Sequence, residues 1–449
     1  MAGEGKGLAR QEGLVYFVEK GVPGDRVLAT VVKKKKDYAL AKIAEVISPS
    51  PDRAEPFCQH FGICGGCSWQ HILYEKQLAY KEHMVREAFR RIGKLELENM
   101  QPILGSQQTR GYRNKIEYTF SDRAWLTEEQ ISSGVNFERR ALGFHIPERF
   151  EHILKIDTCY LQDDKTNLIR NAVYQFALEY EMTFYNVKFH EGVLRNLILR
   201  NTTLDEWMVT VCFAKEDEKN LSLMNFLKDN FPFITSLNYI INTKKNDTIY
   251  DQDVILFNGR DHIIEQLGNI CYKIGVKSFF QTNSQQAKVM YDLVREFGDF
   301  QKNEIVYDIY CGTGSIGLYV ADACKKVVGI EQIPEAIEDA KYNAALNHVE
   351  NTTFLAGIAE NILDENFIEL HGKPHKIIVD PPRAGLHENI VQTILQAEPE
   401  VIVYVSCNPA TQARDVLMLS EKYTLTRCQP MDLFPHTYHI ENVVRLDRK

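Results

Sequence analysis

The sequence lacks any hydrophobic run long enough to cross a membrane, and it lacks an apolar signal segment at its start. A membrane helix needs about 20 consecutive apolar residues, and no stretch of this 449-residue chain approaches that length. The first residues, MAGEGKGLARQEG, are polar and rich in glycine, unlike a secretory signal. These absences argue against a membrane protein and predict a cytoplasmic location.

The sequence also lacks an excess of positive charge, because its formal net charge is −9. Attraction by the whole molecule therefore cannot account for binding to nucleic acid, and any such contact must come from local basic patches. The hydrophobic content of 44% and charged content of 25% are ordinary for a globular protein. A chain of this length is too long for one hydrophobic core, so two or three domains are expected.

Ten cysteines in such a chain suggest metal binding or catalysis rather than disulfides. Cys58, Cys64 and Cys67 lie in the stretch CQHFGICGGC, with a Cys-x5-Cys-x2-Cys spacing. Three thiols in a glycine-rich loop suggest ligands for an iron–sulfur cluster or for zinc. A closed site needs a fourth ligand, and Cys159 is the best candidate. The spacing leaves both metals open, and reduced bystander cysteines are the alternative.

Residues 1–50 predict a small β-barrel with a basic hairpin. Residues 14–18, 27–32 and 39–46 read as strands, separated by turn residues. The run Lys33-Lys34-Lys35-Lys36 lies between the last two strands. Such a run is usually a solvated loop, and contact with phosphates is the alternative.

Residues 51–270 predict an α+β region. Residues 74–93 form an amphipathic helix whose other face is basic. Residues 110–120, RGYRNKIEYTF, join basic and aromatic side chains before a strand. Further strands are expected at residues 141–145, 186–190, 194–200, 207–213 and 237–242, and a helix at 221–230.

From about residue 271 to the end, strands alternate with helices, which predicts a parallel sheet. A strand at 304–310 leads into Gly312-x-Gly314-x-x-Gly317, where glycines let the backbone approach a ligand. A second strand ends at Glu331, 23 residues beyond Asp308, near the spacing at which an acid meets ribose hydroxyls. A nicotinamide-binding fold would share this pattern.

Two later strand ends carry reactive side chains. The strand before Asp380 continues into Asp-Pro-Pro-Arg. This stretch resembles the acidic Pro-Pro motif of S-adenosylmethionine-dependent base methyltransferases, for which dehydrogenases have no comparable use. Residues 401–409, VIVYVSCNP, form a buried strand that ends at Cys407, where open α/β sheets bind ligands. A core cysteine is the alternative reading of Cys407.

With these motifs together, the chain resembles the RNA uridine-C5 methyltransferase family. The stretches CQHFGICGGCSWQH, FFQTN, DIYCGTGSIGL, VDPPRAGL, VSCNPAT and HIENVVRL match in the family's order. Residues 1–50 resemble a TRAM domain, an RNA-binding barrel, whose first strand is nearly absent here, so the barrel is either open or truncated. The branch resembled is the iron–sulfur-containing RlmD type, which modifies 23S ribosomal RNA; the tRNA-modifying branch lacks the barrel and the cysteine cluster.

The resemblance implies a Rossmann-like S-adenosylmethionine-dependent domain, a 4Fe–4S cluster and a role for named residues. The cluster ligands would be Cys58, Cys64, Cys67 and Cys159. The cofactor and target uracil would meet Gln281, Tyr310, Gly312, Ser315, Glu331 and Asp380. Cys407 would be the nucleophile and Glu441 the general base. The family often has Asn or Asp where this chain has Ile358, which removes a polar contact to the adenine side.

The expected organisation is a barrel at residues 1–50, a central iron–sulfur and RNA-binding domain at 51–270 with helix 74–93 packing on the catalytic domain, and a methyltransferase domain at 271–449. The expected partner is RNA, and a monomer is the default. Rival functions are a tRNA uridine-C5 methyltransferase, a radical methylthiotransferase and a non-catalytic RNA-binding protein. The radical class uses Cys-x3-Cys-x2-Cys, which this chain does not have.

Overall fold

The computed structural model describes residues 1–147 and 149–449, which form two compact units. The first unit contains Met1–Pro56, Ser68–Gln107 and Gln285–Lys449, and the second contains Phe57–Cys67 and Gln108–Ser284. The three-part division at residues 50 and 270 stays a prediction. Within the described residues, no helix has the length and apolar character that a membrane crossing requires.

Strands and helices occur along the whole length of the described chain. Strands β1 to β20 of the described residues are Gly7–Gln11, Leu14–Glu19, Arg26–Lys34, Tyr38–Ser48, Lys115–Ser121, Ala141–Ile146, Arg149–Lys155, Leu194–Asn201, Trp207–Phe213, Ile234–Ile241, Ile255–Gly259, His262–Leu267, Ile270–Gly275, Ile305–Ile309, Lys326–Glu331, Thr352–Ala356, Lys376–Val379, Val401–Ser406, Tyr423–Met431 and Glu441–Arg448. Helices α1 to α11 are Tyr74–Ala88, Glu128–Ser132, Asp164–Glu179, Glu218–Asn230, Ser284–Gly298, Ser315–Val320, Pro334–Leu346, Ala359–Ile362, Glu365–His371, Glu388–Ala397 and Pro409–Leu419. Shorter helical turns lie at Gly3–Gly5, Phe89–Gly93 and Ala321–Ala323.

The first unit begins with a four-stranded sheet in the order β1-β2-β4-β3. Its pairs are antiparallel except for β2 with β4, which run parallel. The described strands contain no pair between β1 and β3, so the hydrogen-bonded ladder stays open. The three strands expected between residues 14 and 46 are present, and an additional strand, β1, precedes them. Lys33 and Lys34 belong to the end of β3 rather than to a loop.

The rest of the first unit is built on a seven-stranded sheet in the order β16-β15-β14-β17-β18-β20-β19. Strands β14 to β18 are parallel, and β20 pairs antiparallel with both β18 and β19. The chain winds outward from β14 to β16 and then returns to the other side of β14 with β17. The strand order therefore reverses beside β14, the position at which open α/β sheets bind ligands.

Helix α1 supplies apolar side chains to the core of this first unit, as its amphipathic sequence predicts. Val85 and Phe89 are fully buried in the same cluster as Ile402 and Tyr404 of β18. The helix widens to a single π turn at Phe89–Gly93 and ends at Lys94, whose φ of 52° is left-handed.

The second unit contains a seven-stranded sheet in the order β11-β10-β9-β8-β5-β6-β7 and a separate hairpin of β12 and β13. Helices α3 and α4 cover one face of the sheet, where Ile169 and Leu223 pack in one cluster with Ile116 and Leu197. Successive strand residues point to opposite faces. The neighbours of Ile116 along β5 therefore project from the face opposite to these helices.

The prediction of a strand at residues 186–190 is wrong, because these residues form a turn. The side-chain oxygen of Asn186 accepts from the backbone N–H groups of Lys188 and Phe189, both at 3.0 Å. His190 has a left-handed φ of 59° and donates its N–H to the carbonyl of Asn186 at 2.8 Å. Asn side chains compete for backbone hydrogen bonds in this way and so favour turns. The alternation of apolar residues in the sequence did not indicate this turn.

Candidate active site

Four of the sequence-predicted residues follow parallel strands of the first unit. Tyr310 comes directly after β14, Asp380 after β17 and Cys407 after β18, while Glu331 is the last residue of β15. The register pairs Ile309 with both Ile330 and Val379, so these strands end at the same level. The parallel arrangement thus brings the four side chains to one edge of the sheet.

The glycine-rich turn after β14 has the shape that a bound ligand requires. Gly312 has a left-handed φ of 54°, and a Cβ built there would meet no described atom within 4 Å. Gly314 has a φ of 74°, and a Cβ there would meet the ring of Phe354 at 2.8 Å. The first glycine leaves open space beside the backbone, and the second permits close packing of the turn.

Glu331 is held against this turn by two backbone donors. One carboxylate oxygen accepts from the N–H of Gly312 at 3.2 Å, and the other accepts from the N–H of Ile333 at 3.0 Å. An acid fixed at the end of the second strand suits ribose hydroxyls. The sequence spacing predicted this role, and the hydrogen bonds are consistent with it.

Asp308 on β14 is a site residue that sequence reasoning used only to count spacing. It is 1% exposed, and one oxygen accepts from the N–H of Gly317 at 2.9 Å. The other oxygen has no hydrogen-bond partner among the described residues. Burial and then the nearby Asp380 and Glu331 carboxyls raise the pKa of Asp308 to about 7.

Tyr310 and Ser315 are both oriented by side-chain hydrogen bonds. Tyr310 has a left-handed φ of 67°, and its hydroxyl donates to a carboxylate oxygen of Glu360 at 3.0 Å. The hydroxyl of the buried Tyr291 donates to the Ser315 hydroxyl at 3.0 Å. Left-handed backbone at a residue other than glycine or asparagine is uncommon and often marks a functional site.

Cys407 and Glu441 lie side by side where β18 pairs with β20. The antiparallel register places Ser406 opposite Asn442. Cys407, which follows Ser406, therefore adjoins Glu441, which precedes Asn442. Burial, followed by the charges of Glu441 and Asp380, raises the pKa of the Cys407 thiol to about 11. Burial and then Asp380 raise the pKa of Glu441 well above its usual range. The nucleophile and base expected from sequence are therefore neighbours.

Asp380 completes this group of acids. Part of its surface reaches solvent, yet burial of the carboxyl raises its pKa to about 7. Its side chain forms no hydrogen bond or ion pair with the residues that the structure describes. A carboxyl of this kind can both accept and donate hydrogen bonds near neutral pH.

Arg383 is the cation of the group, although its sequence context alone favours a simple ion pair. Its side chain hydrogen-bonds Cys407 and lowers the pKa of both Cys407 and Glu441 against the effect of burial. The guanidinium also lies 3.0 Å from Nδ1 of His439. Its carbonyl accepts from the side chains of Asn408 at 3.0 Å and Thr411 at 3.2 Å. These bonds fix Arg383 to the segment that follows the nucleophile.

A family model described as tRNA (uracil-5-)-methyltransferase matches residues 188–449, more than half of the chain. The chain belongs to this uracil-5-methyltransferase family. Proteins named uncharacterized RNA methyltransferase are similar over the full length: one from Bacteroides thetaiotaomicron is 50% identical, with all of both chains covered, and one from Porphyromonas gingivalis is 48% identical, covering 100% of this chain and 98% of its own.

A solved structure of the Pyrococcus abyssi tRNA (uracil-54, C5)-methyltransferase, in complex with S-adenosyl-L-homocysteine, is also similar. It has a TM-score of 0.76 and 30% identity, and the match covers 98% of this chain and 97% of that one. The likeness confirms the predicted Rossmann-like S-adenosylmethionine-dependent methyltransferase fold. The open space at Gly312, the fixed Glu331 and the unpartnered oxygen of Asp308 are compatible with that cofactor.

Gln281 and Ile358 are the remaining predicted positions around the cofactor and uracil. Gln281 belongs to the second unit, where its carbonyl accepts from the side chain of Asn114 at 2.9 Å. Ile358 precedes α8 in the first unit and is 49% exposed. The exposed isoleucine side chain offers no polar group at this position, and its place beside a cofactor stays a prediction.

The cysteine loop of this methyltransferase lies in the second unit. Cys58 and Cys159 are close enough to Cys64 to affect its ionisation, and burial first, with these two thiols, raises the pKa of Cys64 to about 11. The N–H of Gly66 donates to the Cys64 sulfur at 3.3 Å. The described residues nevertheless include no group of three or more His, Cys, Asp and Glu that could hold a metal ion.

Proposed function

We propose that this protein transfers a methyl group from S-adenosylmethionine to C5 of a specific uridine in 23S ribosomal RNA, through a covalent bond between Cys407 and C6 of the uracil. The adjacency of Cys407 and Glu441, with Asp380 and Arg383 beside them, is the observation that carries this proposal. Membership of the uracil-5-methyltransferase family supports the reaction class.

The chemistry explains why a thiol and a base must be neighbours. Uracil C5 is a weak nucleophile, and addition of the Cys407 thiolate to C6 turns C5 into an enolate-like carbon. When bound, S-adenosylmethionine would supply the electrophilic methyl group, its S–CH3 bond breaking as the C5–CH3 bond forms, and it would leave as S-adenosylhomocysteine. After C5 is methylated, Glu441 removes the C5 proton, the double bond between C5 and C6 forms again, and the sulfur leaves C6 with its electron pair.

The raised pKa of each group matches this sequence of steps. A thiol with a pKa of about 11 is mostly protonated at neutral pH, so Arg383 supports the small thiolate fraction that attacks. Glu441 has a pKa raised by burial, and its ionised form is therefore a stronger base than an exposed carboxylate. Asp380 reads the edge of a uracil that has left the RNA stack.

The cofactor would bind at the glycine-rich turn. Gly312 offers open backbone, Glu331 receives the ribose hydroxyls, and Tyr310 and Ser315 line the neighbouring wall. Support comes from the left-handed backbone at Gly312 and Tyr310 and from the two backbone bonds that fix Glu331.

The finer parts of the proposal concern residues 1–50 and the cysteine loop. We assign RNA binding to residues 1–50 and a 4Fe–4S cluster to Cys58, Cys64, Cys67 and Cys159. The mutual effect of three of these thiols on ionisation supports the cluster, and the lack of a preassembled metal group among the described residues counts against it. Iron and acid-labile sulfide in protein purified without oxygen would test it, with Cys64→Ser as the variant that should lose both.

A tRNA uridine is the second candidate substrate, because the similar Pyrococcus abyssi enzyme is named for tRNA uracil-54. Mapping 5-methyluridine in ribosomal RNA and tRNA, from cells with and without this gene, separates the two candidates. We expect the loss of one modified position in 23S RNA and unchanged tRNA. The opposite pattern would assign the protein to tRNA, and no change in either would reject RNA uridine-C5 methylation.

A further inference from the structure

Lys115 and Arg200 lie on the face of the second unit's sheet that is opposite to α3 and α4, and Arg113 lies just before β5. Lys115 on β5 is paired in register with Arg200 on β8, and Arg113 precedes Lys115 by two residues. The Nε of Arg113 donates to the carbonyl of Lys115 at 2.9 Å. Arg113 and Lys115 are two of the three basic residues of the stretch RGYRNK, to which the catalytic proposal gives no role.

Arg200 is a buried cation without an acidic partner. It is 4% exposed, and its guanidinium donates to the carbonyls of Gly275 at 3.0 Å and Ser278 at 2.8 Å. Within residues 1–147 and 149–449, no carboxylate forms an ion pair with it. Burial lowers the pKa of Arg200 to about 10. The carbonyls satisfy its N–H groups but leave its charge uncompensated.

The ammonium of Lys115 is partly buried, and it has no hydrogen bond or ion pair with any residue that the structure describes. Burial, and then the charges of Arg200 and Arg113, lower the pKa of Lys115 to about 8. Glu117, two residues farther along the same face, has the opposite effect on the lysine but forms no ion pair with it. Among the described residues, Glu117 is the acid whose charge acts on Lys115, and Asp247 and His145 in turn act on Glu117.

An unmatched cluster of partly buried cations costs folding free energy, so it calls for an anion that is absent from the protein itself. Ile116 and Tyr118, the alternate residues of β5, lie in the core beneath α3 and α4, so Lys115 and Glu117 project from the other side. A bound anion would meet Lys115 there, with Arg200 behind it and Arg113 beside it. Phosphates of nucleic acids are bound by lysine and arginine in this way.

We propose that Lys115, Arg113 and Arg200 form a binding site for a backbone phosphate of the RNA substrate. The proposal rests on the proposed function, because RNA methylation is what makes an RNA phosphate the relevant anion. Lys115 makes the direct contact, while Arg200 lies too deep to lose its two carbonyl partners and supplies charge from behind. The lysine gains a full charge when the phosphate binds, so binding takes up a proton near pH 8.

The test compares Lys115→Gln and Lys115→Arg with Lys228→Gln in the full-length protein. Lys228 is an exposed lysine on α4, which covers the opposite face of the sheet, and its substitution removes the same charge. The probe is a fluorescein-labelled 20-nucleotide oligouridylate, followed by fluorescence anisotropy across a salt series. The thermal unfolding midpoint of each variant reports whether it folds.

We expect Lys115→Gln to weaken binding about 3- to 10-fold at low salt and to reduce the slope of log affinity against log salt by about 0.7, the value for one phosphate on a single strand. Lys228→Gln should bind like the wild type. Between pH 7 and pH 9 the wild type should lose affinity as Lys115 loses its proton, whereas Lys115→Arg, which stays charged, should keep its affinity.

Equal affinity and equal salt slope for Lys115→Gln and Lys228→Gln would overturn the phosphate site, and a wild-type protein that still methylates RNA would leave the proposed function standing. A wild-type protein that neither binds the oligouridylate nor methylates cellular RNA would overturn both. A salt slope that depends on Lys115 in a protein without methyltransferase activity would support the site and reject the proposed reaction.

Discussion

Two groups of buried charges in the first unit differ in how completely opposite charges and hydrogen bonds within the protein compensate them. Lys81 on α1 and Asp432 after β19 form an ion pair of 2.7 Å, and neither side chain is exposed. Asp432 also accepts from the Tyr74 hydroxyl at 3.0 Å and from the N–H of Phe434 at 2.9 Å. Every charge in this pair is therefore compensated inside the protein.

The acids at the strand ends have no such compensation. Asp308, Asp380 and Glu441 make no ion pair with the described residues, and their pKa values are all raised, mainly by burial. Arg383 is the cation that opposes this effect at Glu441 and Cys407. The contrast teaches that matched buried charges support the fold, while unmatched ones mark the place where a ligand or a proton is handled.

The largest expected effect is the loss of activity when the thiol beside the uncompensated acids is removed. Cys407→Ala should reduce methyl transfer by at least about four orders of magnitude, because the covalent route to an activated C5 is lost. It should also abolish the covalent complex with 5-fluorouridine RNA on a denaturing gel. Cys271→Ser, at another half-buried cysteine, should keep both. A covalent complex formed by Cys407→Ala would show that another residue is the nucleophile.

The next effect concerns stability at the matched pair. Lys81→Met leaves Asp432 buried without a cation and should lower the free energy of unfolding by about 3–5 kcal/mol, measured by urea denaturation. Adding Asp432→Asn to this variant should recover part of the loss, since no charge then remains. Lys288→Met removes an exposed ion pair with Asp292 and should change stability by less than about 1 kcal/mol. Equal losses of unfolding free energy in Lys81→Met and Lys288→Met would contradict the larger role assigned to the buried ion pair.

A third prediction concerns the pH dependence that an unmatched acid imposes. Asp308 has a pKa raised from 3.8 to about 7 in the folded protein, so its contribution to stability is present below about pH 4 and is lost as pH rises towards 7 and above. The loss is at most about 4 kcal/mol, at 1.36 kcal/mol per pKa unit. Urea denaturation at pH 5 and pH 7.5 should show a smaller pH effect in Asp308→Asn.

Asp322 is the control for this measurement, because the nearby Arg295 lowers its pKa instead. Asp322→Asn should leave the difference in stability between pH 5 and pH 7.5 unchanged, since this carboxylate is already ionised across that range. A pH effect that is the same in wild type and Asp308→Asn would contradict the assignment of the raised pKa to this carboxyl.

The smallest expected effect concerns Arg383, the cation that lies beside the uncompensated acids and Cys407. Arg383→Gln removes the hydrogen bond and charge that favour the Cys407 thiolate, so alkylation of Cys407 by iodoacetamide should slow about 3- to 10-fold at pH 8. Mass spectrometry of the Cys407 peptide measures the rate. Arg427→Gln, at an exposed arginine paired with Glu296, should not alter it. An unchanged rate in Arg383→Gln would mean that this cation does not affect the thiol.

Much of the fold was predictable because its signals are local. Apolar runs mark β17 and β18, a run interrupted by Asp308 marks β14, and the glycine turn after β14 follows from residue type alone. The turn at residues 186–190 was not predictable in this way, since a single Asn side chain capturing two backbone N–H groups decides it. The split between the two units is equally a product of long-range contacts.

The candidate site was predictable in its residues but not in its electrostatics. Strand ends indicated Cys407 and Asp380, motif resemblance added Glu441, and spacing indicated the four cysteines, which do not form a metal-holding group among the described residues. Nothing in the sequence indicated that one oxygen of Asp308 has no partner or that Arg383 hydrogen-bonds Cys407. These properties depend on which residues distant in the chain pack around each group.

The amino-acid order by itself determined the alternation of strand and helix, the position of reactive side chains after strand ends and the family to which the chain belongs. Only the tertiary structure decided which charges are matched, because pairing joins residues as far apart as Lys81 and Asp432. Burial sets the cost of each charge and the fold sets its partners, and neither quantity can be read from neighbours in sequence.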